Sequence, residues 1–386
     1  MDDQPPKRQP AHKRILVAPL DWGLGHASRI IPLIHALRSY DRCEVLIGVS
    51  GKSGEFLKAE FPALETIDLP SLSVRYSGGS SQIVRIFLQI PRMILSVIQE
   101  HRRLSRLVNE RGLSAVISDN RYGLYSRKIP SMLVLHQLHL RLPGVLHAWA
   151  GMFTRLQQRW ISRFDQIWIP DMPGNKSLAG ALSQPPARLH NTYHIGLLSR
   201  FFYGNTGRRP SGESYPLVAL LSGPEPQRSM LEEMVCEQAQ ASGTRALVIQ
   251  GVMGDGVMRA EGKITRVSHM LSVDLRRYLQ LSRMVVCRSG YSSVMDMVAL
   301  RKQALLIPTP GQPEQEYLAE YLQQKGWFLY QRQDHFHLEE ALRQVNDYFP
   351  PRIPVSEQLF RRINRLFEWL EQDESEDQNN QPQTKT

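Results

Sequence analysis

The sequence predicts an α/β protein with two Rossmann-like domains that face each other across a cleft. Three observations lead to this fold class. Residues 14–49 run as apolar strand, glycine-bearing turn, amphipathic helix and second strand, which is how a doubly wound parallel sheet begins. A second series of strands and helices starts at Leu217. Between the two series, residues 203–216 are polar and rich in glycine and proline, as is typical of a linker.

Apolar runs in the first half predict strands, and one amphipathic stretch predicts a helix at residues 28–40. The strands are expected at 14–19, 44–49, 115–118, 132–136 and 166–170. The second half repeats the pattern, with strands at 217–221, 246–250, 284–287 and 304–308 and helices at 229–242, 292–300 and 315–325. In such folds ligands bind at the carboxyl ends of the strands.

The same patterns set the expected boundaries. We divide the chain into a flexible N-terminus (1–13), a first domain (14–204), a linker (205–216), a second domain (217–352), a helix that packs back on the first domain (353–371) and a disordered tail (372–386). The tail from Glu371 onward carries five acidic residues, one lysine and few apolar residues, a composition typical of disorder.

Composition narrows the function classes. The 386 residues carry a formal net charge of +10, which attracts nucleic acid, nucleotide phosphates or an anionic membrane face. We find no basic motif studded with aromatic residues, so we expect no nucleic-acid partner. Three scattered cysteines predict neither disulfides nor a zinc site. The N-terminus lacks a secretory signal and the chain lacks a long apolar run, so we expect a cytoplasmic protein.

The segment Val285–Asp296 is the sharpest motif. A buried strand runs into a small polar turn, Arg288, Ser289 and Gly290, and then into a helix that Ser292 or Ser293 is expected to cap. Backbone N–H groups at such a helix N-terminus bind anions, and a diphosphate fits them. An ordinary strand–helix connection has the same pattern, and Arg288 has a structural alternative, with its guanidinium bonding carbonyls behind the loop.

Three further turns supply polar groups. Asp296 has a carboxylate that suits the two adjacent hydroxyls of a ribose, although a solvated helix carboxylate is the alternative. Glu314 and Gln315 follow the strand that ends near Pro308, and together they suit sugar hydroxyls. Ser222 and Gly223 form a small-residue turn that can approach a phosphate closely.

On these motifs, the stretch CRSGYSSVMDMVALRKQALLIPTPGQPEQEYLAEYL resembles the C-terminal domain of glycosyltransferase family 28. That family includes the bacterial N-acetylglucosaminyltransferase that completes lipid II and plant monogalactosyldiacylglycerol synthase. The resemblance is close over residues 217–324 and loose over 14–49 and 118–139. It implies a GT-B fold, a UDP-sugar donor, and inversion at the anomeric carbon, with an acceptor domain in the first half and a donor domain in the second.

Carried over by position, the resemblance implies a set of donor-binding residues. The diphosphate would lie on Ser222, Gly223, Ser289, Gly290, Tyr291 and Ser292, the uracil between Met270 and Leu271, the ribose on Asp296, and the donor sugar on Glu314 and Gln315. In the absence of a metal, the helix N-terminus and Arg288 are expected to take up the charge of the diphosphate. The family commonly has Glu at the position of Asp296. The family's GGSxG turn is replaced here by a turn that contains Ser222 and Gly223.

Inverting transfer needs a base that removes the proton of the acceptor hydroxyl. His26, in the turn with Gly23 and Gly25 after the first strand, is expected to be that base; bracing the turn is its alternative role. Asp119, beside Asn120 at another strand end, is expected to orient His26 or to bind the acceptor, with an Asx-type turn as the alternative. His136 and Gln137 resemble the family's acceptor-side loop.

Outside the tail the chain has no Asp-x-Asp pair with which to hold a bridging metal. We therefore expect a metal-independent enzyme with no cofactor. Residues 83–98 and 145–164 mix apolar and arginine residues. They predict either contact with an anionic membrane, on its inner face, or a groove for a lipid acceptor; core-facing helices with snorkelling arginines are the alternative.

We therefore expect transfer of a hexose or N-acetylhexosamine from a UDP-sugar to a hydroxyl on a lipid-linked or glycan acceptor. A UDP-sugar 2-epimerase of the same architecture is one alternative. A non-catalytic basic nucleotide- or nucleic-acid-binding protein is another. The triplet Gly51-Lys52-Ser53 follows a strand as in a P-loop, but position 46 is leucine where that motif needs glycine, so we expect no NTPase.

Overall fold

The computed structural model describes residues 12–21, 23–70, 82–139, 150–202, 211–354 and 357–379. It contains two seven-stranded sheets, one in each half of the chain. The first has the order β3-β2-β1-β4-β5-β6-β7 and is parallel throughout. The second has the order β10-β11-β9-β8-β12-β13-β14, and only the edge pair β10–β11 is antiparallel. The predicted α/β class with two Rossmann-like domains is confirmed.

The strands of the first sheet are β1 Lys13–Pro19, β2 Cys43–Val49, β3 Thr66–Asp68, β4 Ala115–Asp119, β5 Ser131–Val134, β6 Gln166–Ile169 and β7 Thr192–His194. Its helices are α1 Leu24–Arg38, α2 Gly51–Glu60, α3 Gln82–Arg111 and α4 Ala150–Ile161. The central strands are apolar along most of their length because helices cover both faces of a parallel sheet.

The strands of the second sheet are β8 Leu217–Leu220, β9 Ala246–Ile249, β10 Arg259–Glu261, β11 Ile264–Val267, β12 Met284–Cys287, β13 Ala304–Leu306 and β14 Leu329–Tyr330. Its helices are α5 Gln227–Ala241, α6 Ser272–Leu281, α7 Tyr291–Leu300, α8 Pro313–Gln324 and α9 Leu338–Gln344. The four predicted strands and three predicted helices all occur here, each within two residues of its expected start.

The last helix, α10 Glu357–Asn379, lies against the first half of the chain. The ring of Phe367 stacks on Tyr40 with centroids 4.7 Å apart, and Lys13 Nζ donates to the carbonyl oxygen of Leu370 at 3.0 Å. The helix continues beyond residue 371, where we expected disorder to begin. Its final turns are rich in Glu and Gln, which have good helix propensity.

Several expectations fall on residues outside the described ranges. These are the N-terminus up to residue 11, most of the linker (203–210), residues 145–149 of the second apolar-basic stretch, and the tail from residue 380. Within the described ranges, no helix has both the length and the apolarity that crossing a membrane requires.

The Gly-Lys-Ser triplet has a structural role. Gly51 begins α2 with φ of 49°, and a Cβ at this position would lie 2.2 Å from Asp21 Oδ2. Ser53 Oγ donates to Asp21 Oδ1 at 2.6 Å. The triplet therefore forms the start of a helix packed on the turn after β1.

Candidate active site

The site lies where the carboxyl ends of β1, β4 and β5 meet the turns that follow β12 and β13. His26 sits in the first turn of α1, Asp119 is the last residue of β4, and His136 lies two residues beyond β5. Glu314 and Tyr291 come from the second half of the chain, in the first turns of α8 and α7. The parallel sheets place these side chains together because the strands end at the same edges.

His26 and Asp119, the two predicted catalytic residues, are in direct contact. His26 Nδ1 lies 2.8 Å from Asp119 Oδ2; the His26 side chain is 18% exposed, while that of Asp119 is 1% exposed. Among the described residues none hydrogen-bonds His26 Nε2. A histidine held at one ring nitrogen by a buried carboxylate, with the other nitrogen free, is the arrangement that a general base needs.

The electrostatics of this pair keep His26 neutral and Asp119 ionised. Burial lowers the pKa of His26 below the ordinary histidine value; Asp119 raises it, and Arg29 and His136 lower it. Burial alone raises the pKa of the Asp119 carboxyl, but the charge of Arg29 and the hydrogen bonds from His26 and Arg29 outweigh burial and bring that pKa below its usual range. At neutral pH, His26 is therefore able to accept a proton.

Arg29, which the sequence analysis missed, joins the cluster. Its side chain is 1% exposed, and its guanidinium contacts His136, His26 and Asp119. The sequence contained a signal for it. Arg29 lies three residues after His26 on α1, in the otherwise apolar stretch that continues Ile-Ile-Pro-Leu-Ile, and a buried arginine in such a stretch needs a partner.

His136 connects the two halves of the chain. Its Nε2 lies 2.8 Å from Glu314 Oε1, and its ring stacks on Tyr291 with centroids 4.4 Å apart and an interplanar angle of 4°. Burial raises the pKa of Glu314, but His136 and Arg29 outweigh burial and lower it. Tyr291 in turn donates its hydroxyl to the carbonyl oxygen of Pro170 at 2.9 Å. His136, predicted on the acceptor side, thus touches residues predicted to bind the donor.

The backbone of the turn before α7 is not capped by a side chain. Gly290 is the N-cap of α7 and no side chain caps the helix, so the expected cap by Ser292 or Ser293 is wrong. Ser292 Oγ instead donates to the carbonyl oxygen of Gly25 at 2.9 Å, across the two halves. Ser289 Oγ donates to the carbonyl oxygen of Gln315 at 2.7 Å. A Cβ on Gly290 would meet no atom within 4 Å, which leaves room for a ligand above the helix N-terminus.

Arg288 does not face this turn, and its prediction as a donor-binding residue is corrected. The side chain is fully buried. Nη1 donates to the carbonyl oxygens of Ile307 and Pro308 and to Gln333 Oε1, and Nη2 donates to the carbonyl oxygen of Gln227 at 2.5 Å. Burial lowers the pKa of Arg288 to about 10. The structural alternative, with its guanidinium bonding carbonyls behind the loop, describes its geometry.

Asp296 is also engaged within the protein. It is 3% exposed, and its two carboxylate oxygens accept hydrogen bonds from Ser199 Oγ at 2.7 Å and Arg200 Nε at 2.9 Å. The alternative of a solvated carboxylate is wrong. Binding of a ribose by Asp296 stays a prediction. The ribose hydroxyls would have to share the carboxylate with Ser199 and Arg200 or displace these side chains from it.

The remaining donor-side residues line two facing turns. Ser222 is half-buried and Gly223 exposed, and a Cβ on Gly223, whose φ is 105°, would lie 3.6 Å from Thr309 Oγ1. Gln315 braces the Thr309 turn from inside, since its Oε1 accepts a hydrogen bond from the Thr309 amide at 2.8 Å. Met270 and Leu271 are half-buried just before α6. Their roles toward a nucleotide stay predictions.

The remaining acceptor-side residues lie in the turns that follow β1, β4 and β5. Gly23 and Gly25 are exposed, and Gly23 has φ of 84° at the N-cap of α1. Asn120 is half-buried with φ of 59°, and its amide donates to the carbonyl oxygen of Val134. Gln137 is half-buried, and its carbonyl oxygen accepts a hydrogen bond from Gln157.

Comparison with known proteins also indicates a glycosyltransferase. Residues 256–353 match the glycosyltransferase family 28 C-terminal domain. The chain is 27% identical over 305 residues to a UDP-N-acetylglucosamine–N-acetylmuramyl-(pentapeptide) pyrophosphoryl-undecaprenol N-acetylglucosamine transferase from Methylobacterium sp. (strain 4-46), covering 74% of both chains. The enzyme of the same name from Haemophilus ducreyi is 22% identical over 306 residues, which is 76% of this chain and 80% of that relative.

Solved structures share the architecture. The glycosyltransferase of kitacinnamycin superposes with a TM-score of 0.57 at 14% sequence identity, covering 95% of this chain and 99% of that one. At this identity the likeness shows the fold, which is GT-B.

Proposed function

We propose that this chain transfers the sugar of a UDP-sugar with inversion at the anomeric carbon. The chain carries a family 28 C-terminal domain on a GT-B fold and is a glycosyltransferase of the family 28 type. One observation carries the proposal: the buried His26–Asp119 pair, 2.8 Å apart, lies beside the Gly25 turn, where Ser292 of the α7 N-terminus makes contact. A base and an anion-binding helix end then flank one point in the cleft.

In the proposed reaction, His26, Asp119 and the N-terminus of α7 each have one role. His26 Nε2 accepts the proton of the acceptor hydroxyl, and the resulting oxygen attacks the anomeric carbon. The bond between that carbon and the diphosphate oxygen breaks, and the electron pair leaves with UDP. Asp119 stabilises the imidazolium that forms, and amides at the N-terminus of α7 stabilise the leaving diphosphate. Glu314 is proposed to bind a hydroxyl of the donor sugar.

The acceptor is proposed to be lipid-linked. The two transferases quoted above bear names that specify a pyrophosphoryl-undecaprenol acceptor. In this chain, Ile94, Leu95 and Ile98 of α3 are 41%, 57% and 40% exposed, so these residues are not core-facing. Single exposed apolar residues are ordinary, but a patch next to Arg102 suits an anionic membrane surface. The side chains of residues 82–90 lie outside the described part.

Isothermal calorimetry tests the donor. We expect UDP and a UDP-sugar to bind, and GDP and TDP to bind at least tenfold more weakly. Failure of every nucleotide to bind would remove the proposal. Incubation with UDP-sugar alone separates the epimerase alternative, since an epimerase converts the sugar without an acceptor whereas a transferase needs one.

His26→Gln tests the chemistry. The substitution keeps a polar side chain but removes the base, so we expect kcat to fall by about 10²–10⁴-fold, the contribution of a general base, with UDP affinity unchanged. His35→Gln is a matched control on the same helix. His35 is half-buried and packs edge-on against Phe61, with centroids 5.2 Å apart, away from the cluster. Equal losses in both variants would contradict a catalytic role.

A further inference from the structure

The arginine between the two histidines determines where their protons lie. Arg29 Nη1 lies 2.8 Å from His136 Nδ1, and Arg29 Nη2 lies 3.0 Å from His26 Nδ1. Nη2 also donates to Asp119 Oδ1. All three partners are within reach of one buried guanidinium, which has N–H donors but no acceptor.

For His136 only one proton arrangement fits. Because Arg29 donates, His136 Nδ1 must present its lone pair, so the ring is neutral and its proton is on Nε2. That nitrogen lies 2.8 Å from Glu314 Oε1, to which it donates. The stack on Tyr291, nearly parallel at 4°, holds the plane of the ring. His136 is therefore fixed as a hydrogen-bond donor that points across to the second half of the chain.

For His26 the arrangement is the opposite. Nδ1 cannot both accept from Arg29 and donate to Asp119, and the contact to Asp119 is the shorter, 2.8 Å against 3.0 Å. Arg29 Nη2 already has a partner in Asp119 Oδ1. A charge-assisted bond to a carboxylate is also the stronger of the two. The proton is thus on Nδ1, and Nε2 keeps the lone pair.

We propose that Arg29 is a positioning residue: its Nη1 sets the tautomer of His136 directly, and its Nη2 holds Asp119, whose other oxygen sets the opposite tautomer of His26, so that His26 is the base and His136 a hydrogen-bond donor beside Glu314. The charged or titratable groups that face His26 are Arg29 on its own helix, Asp119 at the end of β4, His136 after β5 and Glu314 on α8. The catalytic meaning of the inference rests on the proposed function, whereas the tautomers do not.

The tautomers are measured directly by nitrogen-15 NMR of the full chain labelled at histidine, with assignments from His26→Gln and His136→Gln. At pH 7.5 we expect His26 with a protonated Nδ1 and a bare Nε2, and His136 with a protonated Nε2 and a bare Nδ1. His136 found as Nδ1–H, or as an imidazolium, would overturn the inference. His35 serves as an internal reference outside the cluster.

Two variants test the positioning role. Arg29→Gln removes the charge and the fork, so we expect His136 to show mixed tautomers, His26 to keep its proton on Nδ1 through Asp119, and kcat to fall by about 10²-fold, the lower end of what a general base contributes, because the Asp119 carboxylate is no longer held. The acid limb of the kcat/KM profile should also move to higher pH, because a cation beside His26 is lost. Arg29→Lys keeps the charge, so that limb should stay near its wild-type position. Circular dichroism melting checks that each variant folds; if Arg29→Gln does not, the wild-type spectrum and Arg29→Lys still decide.

The outcomes separate the two proposals. Fixed tautomers in a protein that transfers no sugar from any donor would sink the proposed function and leave the assignment of Arg29 intact. Active transfer with unchanged kcat, pH profile and tautomers in Arg29→Gln would remove the positioning role and leave the transferase proposal standing.

Discussion

Replacement of Arg288 by methionine distinguishes a structural arginine from a phosphate ligand. The guanidinium donates to four acceptors, the carbonyl oxygens of Ile307, Pro308 and Gln227 and the side chain of Gln333. The bonds join the ends of β12 and β13 to the start of α5. The diphosphate is proposed to lie on the opposite side of this turn. The variant should therefore destabilise the turn without removing a contact to the diphosphate.

The magnitude follows from these contacts. A hydrogen bond from a charged donor contributes about 1.5 kcal/mol at the lower end of its range, so the four together contribute about 6 kcal/mol. Burial lowers the pKa of Arg288 to about 10, and the desolvation that this reflects costs about 3 kcal/mol. Methionine removes both the hydrogen bonds and the desolvation cost, so we expect a net destabilisation of about 3 kcal/mol. For a domain of this size that lowers Tm by roughly 6–12 °C.

The assay is differential scanning calorimetry with UDP calorimetry alongside. Arg332→Met is the matched control, because Arg332 is 67% exposed and pairs with Asp334 on the surface; a surface substitution of this kind changes stability by about 0.5 kcal/mol at most. A variant at Arg288 with wild-type Tm and weakened UDP binding would refute the reasoning and return Arg288 to the diphosphate.

Four further predictions concern the site. The kcat/KM profile should fall as pH decreases, because protonated His26 cannot act as a base, and the fall should lie below the ordinary histidine range because burial lowers the pKa of His26. The folded-state pKa of Asp119 is lowered, so the ionised carboxylate stabilises the protein at pH values above its unfolded pKa of about 4. This stability is lost as pH falls through the folded pKa. Asp119→Asn should therefore flatten the dependence of Tm on pH between about 5 and 3. Arg200→Gln should destabilise the chain by about 3–5 kcal/mol, since it leaves the buried Asp296 carboxylate without its ion-pair partner, and an unchanged Tm would show that the pair contributes little. Activity in excess chelator should equal that without it, and loss of activity restored by added Mg²⁺ would contradict metal independence.

Local pattern was sufficient to predict the long central elements of the fold. Strands such as β1 and β12 are continuous apolar runs, and the helices after them begin at small or polar turns, so their order could be read in sequence. The short edge strands β3, β7, β10 and β14 were missed, because two- and three-residue strands are stabilised by their neighbours and leave no periodicity.

The histidine and aspartate of the site were predicted because each follows a strand, at the edge where a parallel sheet binds ligands. What the sequence by itself determined was therefore which residues reach that edge: His26, Asp119, His136 and Glu314. It could not determine which way a side chain turns once there.

Only the tertiary structure decided that direction. Arg288 turns inward because four hydrogen-bond acceptors lie behind it. Asp296 is paired because Arg200 arrives from the end of the first half, and Arg29 joins both histidines because His136, after β5, lies against the start of α1. Each outcome depends on partners 19 to 107 residues away in sequence. Such partners meet only when both sheets have formed, and for that reason no local pattern records them.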